Sequence, residues 1–137
     1  MSSGNANAND EALRKMLEQI QVTLAQNSRQ LSLVRAQRTA KERERRGVEL
    51  TRQAVEAEGS DAKVWRGVGK MFCSSTPTAV VANLTSQEKA VTEEVDVLGK
   101  KQKFLEKQIA DTQGHLRDFL RGVEGQQSKE RASAAAA

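Results

Sequence analysis

The sequence KVWRGVGKMF, residues 63–72, distinguishes this chain from a simple helical hairpin, because it places strand-forming residues between two long helical segments. Val, Trp and Phe favour a pleated, half-buried surface, and Gly67 and Gly69 permit a tight reversal of the chain. The sequence therefore predicts a β-hairpin within residues 59–76. Neighbouring helices of a simple bundle are joined by only about 2–8 residues, so this longer connection indicates an element with a purpose of its own.

The segment before the hairpin carries aliphatic residues at alternating steps of four and three. The series runs from Leu13 to Val55, and polar residues interrupt it in its middle. This spacing is typical of the seam of a coiled coil. Asp10 is the predicted N-cap and Gly59 the predicted C-terminal stop, so the sequence predicts a first helix over residues 10–58.

The segment after the hairpin repeats the same spacing, with apolar residues at most positions from Val81 to Val123. Thr76 is a suitable N-cap, and Pro77 suits the first helical position because its fixed φ is already helical. The sequence therefore predicts a second helix over residues 77–124. Two helices of matched length with a hairpin between them predict an antiparallel coiled coil.

The charges provide a test of the antiparallel register. With the hairpin at the connecting end, the basic stretch Arg38–Arg46 lies beside Lys89–Val97, which carries Glu93, Glu94 and Asp96. Opposite charges meet, as the flanks of a coiled coil require.

A second basic zone follows and has no intramolecular explanation in this register. It consists of Lys100, Lys101, Lys103 and Lys107, which the register places near Arg29 and Arg35.

The composition of the 137-residue chain agrees with long helices rather than a thick globular core. Only 3% of the residues are aromatic, against 37% apolar and 29% charged, and the net charge is +4. Residues 1–9 and 125–137 are small or polar and are predicted to be a disordered lead and tail. No apolar run approaches the roughly 20 residues of a membrane span, and no signal peptide is expected.

The chain lacks the residue sets that enzymes and metal sites use. His115 is the single histidine and Cys73 the single cysteine, so no nucleophile–base pair and no metal-ligand set can be assembled. Gly67-Val68-Gly69 lacks the third glycine of a phosphate-binding loop. The basic run Lys41–Arg46 has no interleaved aromatics, which disfavours nucleic acid. We therefore expect a protein that is not an enzyme and needs no cofactor or metal.

The predicted hairpin indicates assembly with other chains. A two-stranded hairpin alone is marginal in water, and its open edges pair with further strands. A thin coiled coil cannot cover Trp65 and Phe72, so both side chains would be exposed in a monomer. Pairing with the hairpins of other subunits is the simplest way to bury them.

Residues 63–72, between two long heptad helices, resemble the β-type subunits of the prefoldin family, and the resemblance covers about residues 10–124. It implies a mainly α fold, an antiparallel two-helix coiled coil with a single β-hairpin at the connecting end. It further implies that the hairpins form a β-barrel platform in a heterohexamer of two α-type and four β-type subunits. Such a subunit would be an ATP-independent co-chaperone of the cytoplasm. It would hold unfolded actin and tubulin at the coiled-coil tips and pass them to the cytosolic chaperonin.

The resemblance also implies two sets of site residues. The assembly residues are those of the hairpin, namely Val64, Trp65, Val68, Gly69, Met71 and Phe72. The client-binding candidates are the apolar residues at the start of the first helix and the end of the second, namely Leu13, Met16, Leu17, Ile20, Leu116, Phe119, Leu120 and Val123. Of these, Met16 and Leu120 lie off the seams and are surplus to coiled-coil packing, as a chaperone would need.

One alternative stays open at this point. A structural or tethering coiled-coil protein could use the same hairpin only to oligomerise. A tether, however, has no need of an 18-residue strand-forming insert such as residues 59–76.

Overall fold

The computed structural model describes residues 3–136 of the chain. Four elements follow one another, α1 (Ser3–Ala57), β1 (Val64–Val68), β2 (Met71–Ser75) and α2 (Pro77–Ala135). Two long helices joined through a single antiparallel hairpin confirm the predicted mainly α fold.

The ends of the helices beside the hairpin are the predicted ones. α1 ends at Ala57, and Gly59 follows with a φ of 83°, the left-handed conformation that commonly terminates a helix. At the start of α2 the Ala79 N–H donates to Thr76 Oγ1 at 3.3 Å, so Thr76 is the N-cap. Pro77, the first residue of the helix, is buried.

The free ends of the helices differ from the sequence prediction. α1 begins at Ser3, so Asp10 lies inside the helix and is not its N-cap, and α2 continues to Ala135 rather than ending at residue 124. The reason is local, because neither end contains proline, the residue that breaks a helix, and the end of α2 is also rich in alanine, the best helix former. Residues 1, 2 and 137 of the predicted lead and tail lie outside the described residues.

The described chain divides into two compact units. The terminal unit comprises residues 3–33 and 102–136, and the hairpin unit comprises residues 34–101. Apart from Pro77, the buried residues of each unit lie at the seam positions that the heptads predict. They are Leu31 and Leu105 in the terminal unit, and Val34, Val91 and Val95 in the hairpin unit.

Ion pairs in the hairpin unit confirm the predicted antiparallel register. Lys41 Nζ lies 2.8 Å from Glu94 Oε2, and Arg52 Nε donates to Glu88 Oε2 at 2.9 Å. Both pairs join α1 to α2. The hydrogen bond to Glu94, reinforced by one to Glu44, raises the pKa of Lys41 above its ordinary value. The ammonium group is therefore held in its charged form.

Gly99 leaves room for the side chain of Arg38 between the helices of the hairpin unit. A Cβ added to Gly99 would lie 3.7 Å from Arg38 Cζ, so the guanidinium group lies directly over the glycine. Arg38 occupies a seam position and is half-buried there. The small residue opposite thus provides room for a long charged side chain within the seam.

Candidate functional site

The hairpin is built around a two-residue turn. Val68 pairs with Met71, which leaves Gly69 and Lys70 as the loop. Gly69 has a φ of 61°, and the second loop residue does not have a positive φ. Glycine first and an ordinary residue second is the pattern of a type II′ turn, whose twist matches that of antiparallel strands. The turn therefore fixes the register of both strands.

That register sorts the assembly candidates onto the two faces of the hairpin. Cross-strand partners share a face, and so do residues two positions apart on one strand. Trp65 therefore lies on one face with Gly67 and its partner Phe72, and Val68 lies on the other face with its partner Met71. The Phe72 ring covers Gly67, since a Cβ added there would lie 3.6 Å from Phe72 Cε1. The ring thus packs against the glycine of the opposite strand, as aromatic residues do beside strand glycines.

The large side chains of both faces are exposed to solvent. The exposed fractions are 61% for Trp65, 69% for Met71 and 73% for Phe72, whereas Val64 is half-buried. The sheet has only two strands, so each strand also has an open edge. This hairpin therefore presents apolar side chains and unpaired backbone groups together, which is the chemistry of an interface for further strands.

The predicted client-binding residues all lie in the terminal unit. Six of them are half-buried at the seam, namely Leu13, Leu17, Ile20, Leu116, Phe119 and Val123. Met16 and Leu120 are 54% and 47% exposed. The structure thus places these two outside the seam, where their side chains are available to another molecule.

Met16 borders a groove of about 480 Å³ in the terminal unit. Ile20 and Phe119 supply its other apolar groups, and it is completed by polar residues, namely Gln19, Thr23, Thr112 and His115. The groove carries no lysine, arginine or carboxylate in its lining. It is therefore suited to an uncharged, apolar side chain rather than to a charged one.

The sequence prediction missed the polar residues of this groove. Gln19, Thr23 and His115 lie beside the seams rather than in them, so heptad spacing assigns them to solvent. A signal was nevertheless present, because Thr23 is one heptad after Met16 and shares its flank of α1. The flank could be identified from the sequence, but the groove could not.

Residues 3–136 offer neither a metal-ligand cluster nor a membrane-spanning helix. No group of three or more His, Cys, Asp or Glu side chains in this range could hold a metal ion. No helix within the described residues is long and apolar enough to cross a membrane.

Comparisons with known proteins agree with the geometry. The model of the prefoldin subunit family matches residues 18–122. A probable prefoldin subunit 1 of Schizosaccharomyces pombe is 30% identical over 111 residues, which are 81% of this chain and 99% of the relative. Prefoldin subunit 1 of Saccharomyces cerevisiae is 26% identical over 109 residues, 80% of this chain and 99% of the relative.

A solved structure shows the same fold. The crystal structure of the prefoldin beta subunit from Thermococcus strain KS-1 superposes with a TM-score of 0.71, covering 80% of this chain and 93% of that one at 22% identity. The human prefoldin subunit 1 is also 22% identical, over 81% of this chain and 91% of the relative.

Proposed function

The chain belongs to the prefoldin family as a β-type subunit, a non-enzymatic co-chaperone subunit of the prefoldin complex, and on this basis we propose how it assembles and what it holds. It joins a heterohexamer of two α-type and four β-type subunits through its hairpin. Its coiled-coil tip holds unfolded actin and tubulin in the cytoplasm, without ATP, and passes them to the cytosolic chaperonin.

One observation carries the assembly part of this proposal, the exposure of Trp65, Met71 and Phe72 on a two-stranded sheet. Aromatic side chains of this size dominate interface energetics when they are covered. Strands of neighbouring subunits would bury both faces of the hairpin and pair its open edges at once. The interface therefore combines hydrophobic burial with backbone hydrogen bonds.

The client-holding part is supported by the exposed Met16 and Leu120 and by the groove beside Met16, which has no lysine, arginine or carboxylate in its lining. Methionine is flexible and polarizable, so it adapts to different apolar side chains. A single groove of this kind binds weakly. Several tips linked in one complex raise the effective concentration of the next contact, so a client is retained by many weak contacts and can still be released.

Assembly is tested by native mass spectrometry of the full chain co-expressed with candidate prefoldin subunits. Incorporation into a heterohexamer is expected. A stable homodimer that never joins such a complex would favour a tethering coiled coil instead.

Client holding is tested in the assembled complex with the double variant Met16→Ser/Leu120→Ser. The matched control is Val22→Ser/Leu50→Ser, which removes two similarly exposed aliphatic side chains outside the tip. Suppression of the aggregation of denatured actin is expected to fall for the tip variant and to stay at the wild-type level for the control. Equal activity of all three proteins would refute client binding at these residues.

A further inference from the structure

Lys103, Phe104 and Lys107 form an exposed basic–aromatic patch on α2, and neither coiled-coil packing nor hairpin assembly accounts for it. Lys107 follows Lys103 by four positions and Phe104 by three, so its side chain neighbours both of them on the helix surface. Leu105, between them in sequence, is 3% exposed and occupies the seam. The patch therefore faces away from the packed interior of the terminal unit.

The lysines of the patch differ from several basic residues of the hairpin unit, which lie in ion pairs. In the hairpin unit, Lys41, Arg45 and Arg52 all lie within 4 Å of a glutamate. Within residues 3–136, no ion pair joins Lys103 or Lys107 to an acidic group, although Asp111 follows Lys107 by one helical turn. The two ammonium groups are therefore one helical turn apart on α2, and neither is held in an ion pair by a carboxylate of the described residues.

This arrangement has a cost for the isolated helix. Like charges four positions apart on a helix repel, and Lys103 and Lys107 have that spacing. Phe104, 59% exposed, leaves most of an aromatic ring in water beside them. Both features become favourable only when another molecule supplies negative charge and apolar surface together.

We propose that this patch binds an acidic polypeptide segment that carries an aromatic or aliphatic side chain. Carboxylates of the segment pair with the two ammonium groups, and its apolar side chain packs on the Phe104 ring. The apolar contact excludes water from the adjacent charge pairs and so strengthens them. The inference does not depend on client holding at the coiled-coil tip.

Charge complementarity and ring count favour a polypeptide over other anionic partners. Single-stranded nucleic acid is bound by successive aromatic platforms, and the patch has one ring. Phosphates are preferentially clamped by the forked guanidinium of arginine, whereas the patch contains only lysine. A membrane surface requires a broad apolar helix face, which Phe104 alone does not provide.

The test measures binding of the full-length chain to a fluorescein-labelled peptide of about a dozen residues, mostly glutamate with two phenylalanines. Lys103→Glu/Lys107→Glu is expected to weaken binding at least about tenfold, because it replaces attraction by repulsion. Phe104→Ala, which keeps both charges, should weaken it about threefold to tenfold. A peptide with serine in place of phenylalanine should bind wild-type protein and Phe104→Ala alike.

The matched control is Lys89→Glu/Lys129→Glu, which makes the same change in net charge at exposed positions of α2. Its affinity should stay within about twofold of wild type, since long-range charge is screened at physiological salt. Circular dichroism confirms that all variants keep their helices. Equal losses in patch and control variants would overturn the proposal, as would unchanged binding by Lys103→Glu/Lys107→Glu. Tighter, lysine-dependent binding of a random single-stranded oligonucleotide or of phosphatidylserine vesicles would overturn it as well.

Discussion

Replacing Phe72 by alanine should separate assembly from folding of the subunit. The side chain is 73% exposed and contacts the glycine opposite, so the chain itself gains little from it. A phenylalanine buries on the order of 150–250 Å², which leaves roughly 110–180 Å² for a neighbouring subunit to cover. At about 25 cal/mol per Å² this amounts to at most about 3–4.5 kcal/mol, or roughly a hundredfold to a thousandfold in the dissociation constant of the complex.

The assay is a titration of Phe72→Ala into the remaining subunits of the complex, followed by native mass spectrometry. Phe104→Ala is the matched control, because it removes an equally large exposed ring from α2, outside the hairpin. We expect unchanged circular dichroism for both variants and a loss of heterohexamer for Phe72→Ala alone. Assembly of Phe72→Ala with wild-type affinity, or an equal loss for Phe104→Ala, would refute the assignment of the hairpin as the interface.

Three further predictions concern stability. Gly47→Ala should raise the free energy of unfolding by about 0.5–1 kcal/mol, measured in urea, because Gly47 is within α1 and a Cβ there meets nothing within 4 Å. The Lys41–Glu94 pair raises the pKa of Lys41. Its contribution to the free energy of unfolding should be fully present below pH 10.5 and should disappear as the pH rises through the higher pKa of the folded state. The free energy of unfolding of Lys41→Met should therefore fall less than that of wild type as the pH rises through this range. Gly69→Ala should destabilise the hairpin by about 1–2 kcal/mol because Gly69 has a positive φ, and it should lower the yield of complex. Gly67→Ala should destabilise it less, because a Cβ there makes only an ordinary contact with Phe72.

Burial along the two helices could be predicted because it follows local spacing. Every seam position from Leu13 to Val55 and from Val81 to Val123 is half-buried or buried. Thr76 and Gly59 were likewise predictable, since caps and stops act through neighbouring backbone groups. The same kind of local argument predicts the wrong first residue for α1. Asp10 is a good N-cap, but the residues before it contain no proline and continue the helix.

Features that depend on two separate segments could not be predicted. The sequence identifies Met16 and Leu120 as lying off the seams. The groove beside Met16, however, also requires Phe119 of α2 to lie level with Met16 and Ile20 of α1, and the packing of the two helices sets that. The placement of the Phe72 ring over Gly67 depends on the strand register, and that of Arg38 over Gly99 depends on the register of the helices. A shift of one residue would abolish each of these contacts.

The four elements, their order and the aliphatic stripe that joins the helices follow from the amino-acid sequence alone. These properties depend on the periodicity of side chains along one segment, which is readable from the chain. Which apolar side chains remain uncovered depends on the packing of separate segments, because exposure is set by what the opposite strand or helix places beside each residue. The hairpin rings and the Lys103–Phe104–Lys107 patch are available to other proteins for that reason.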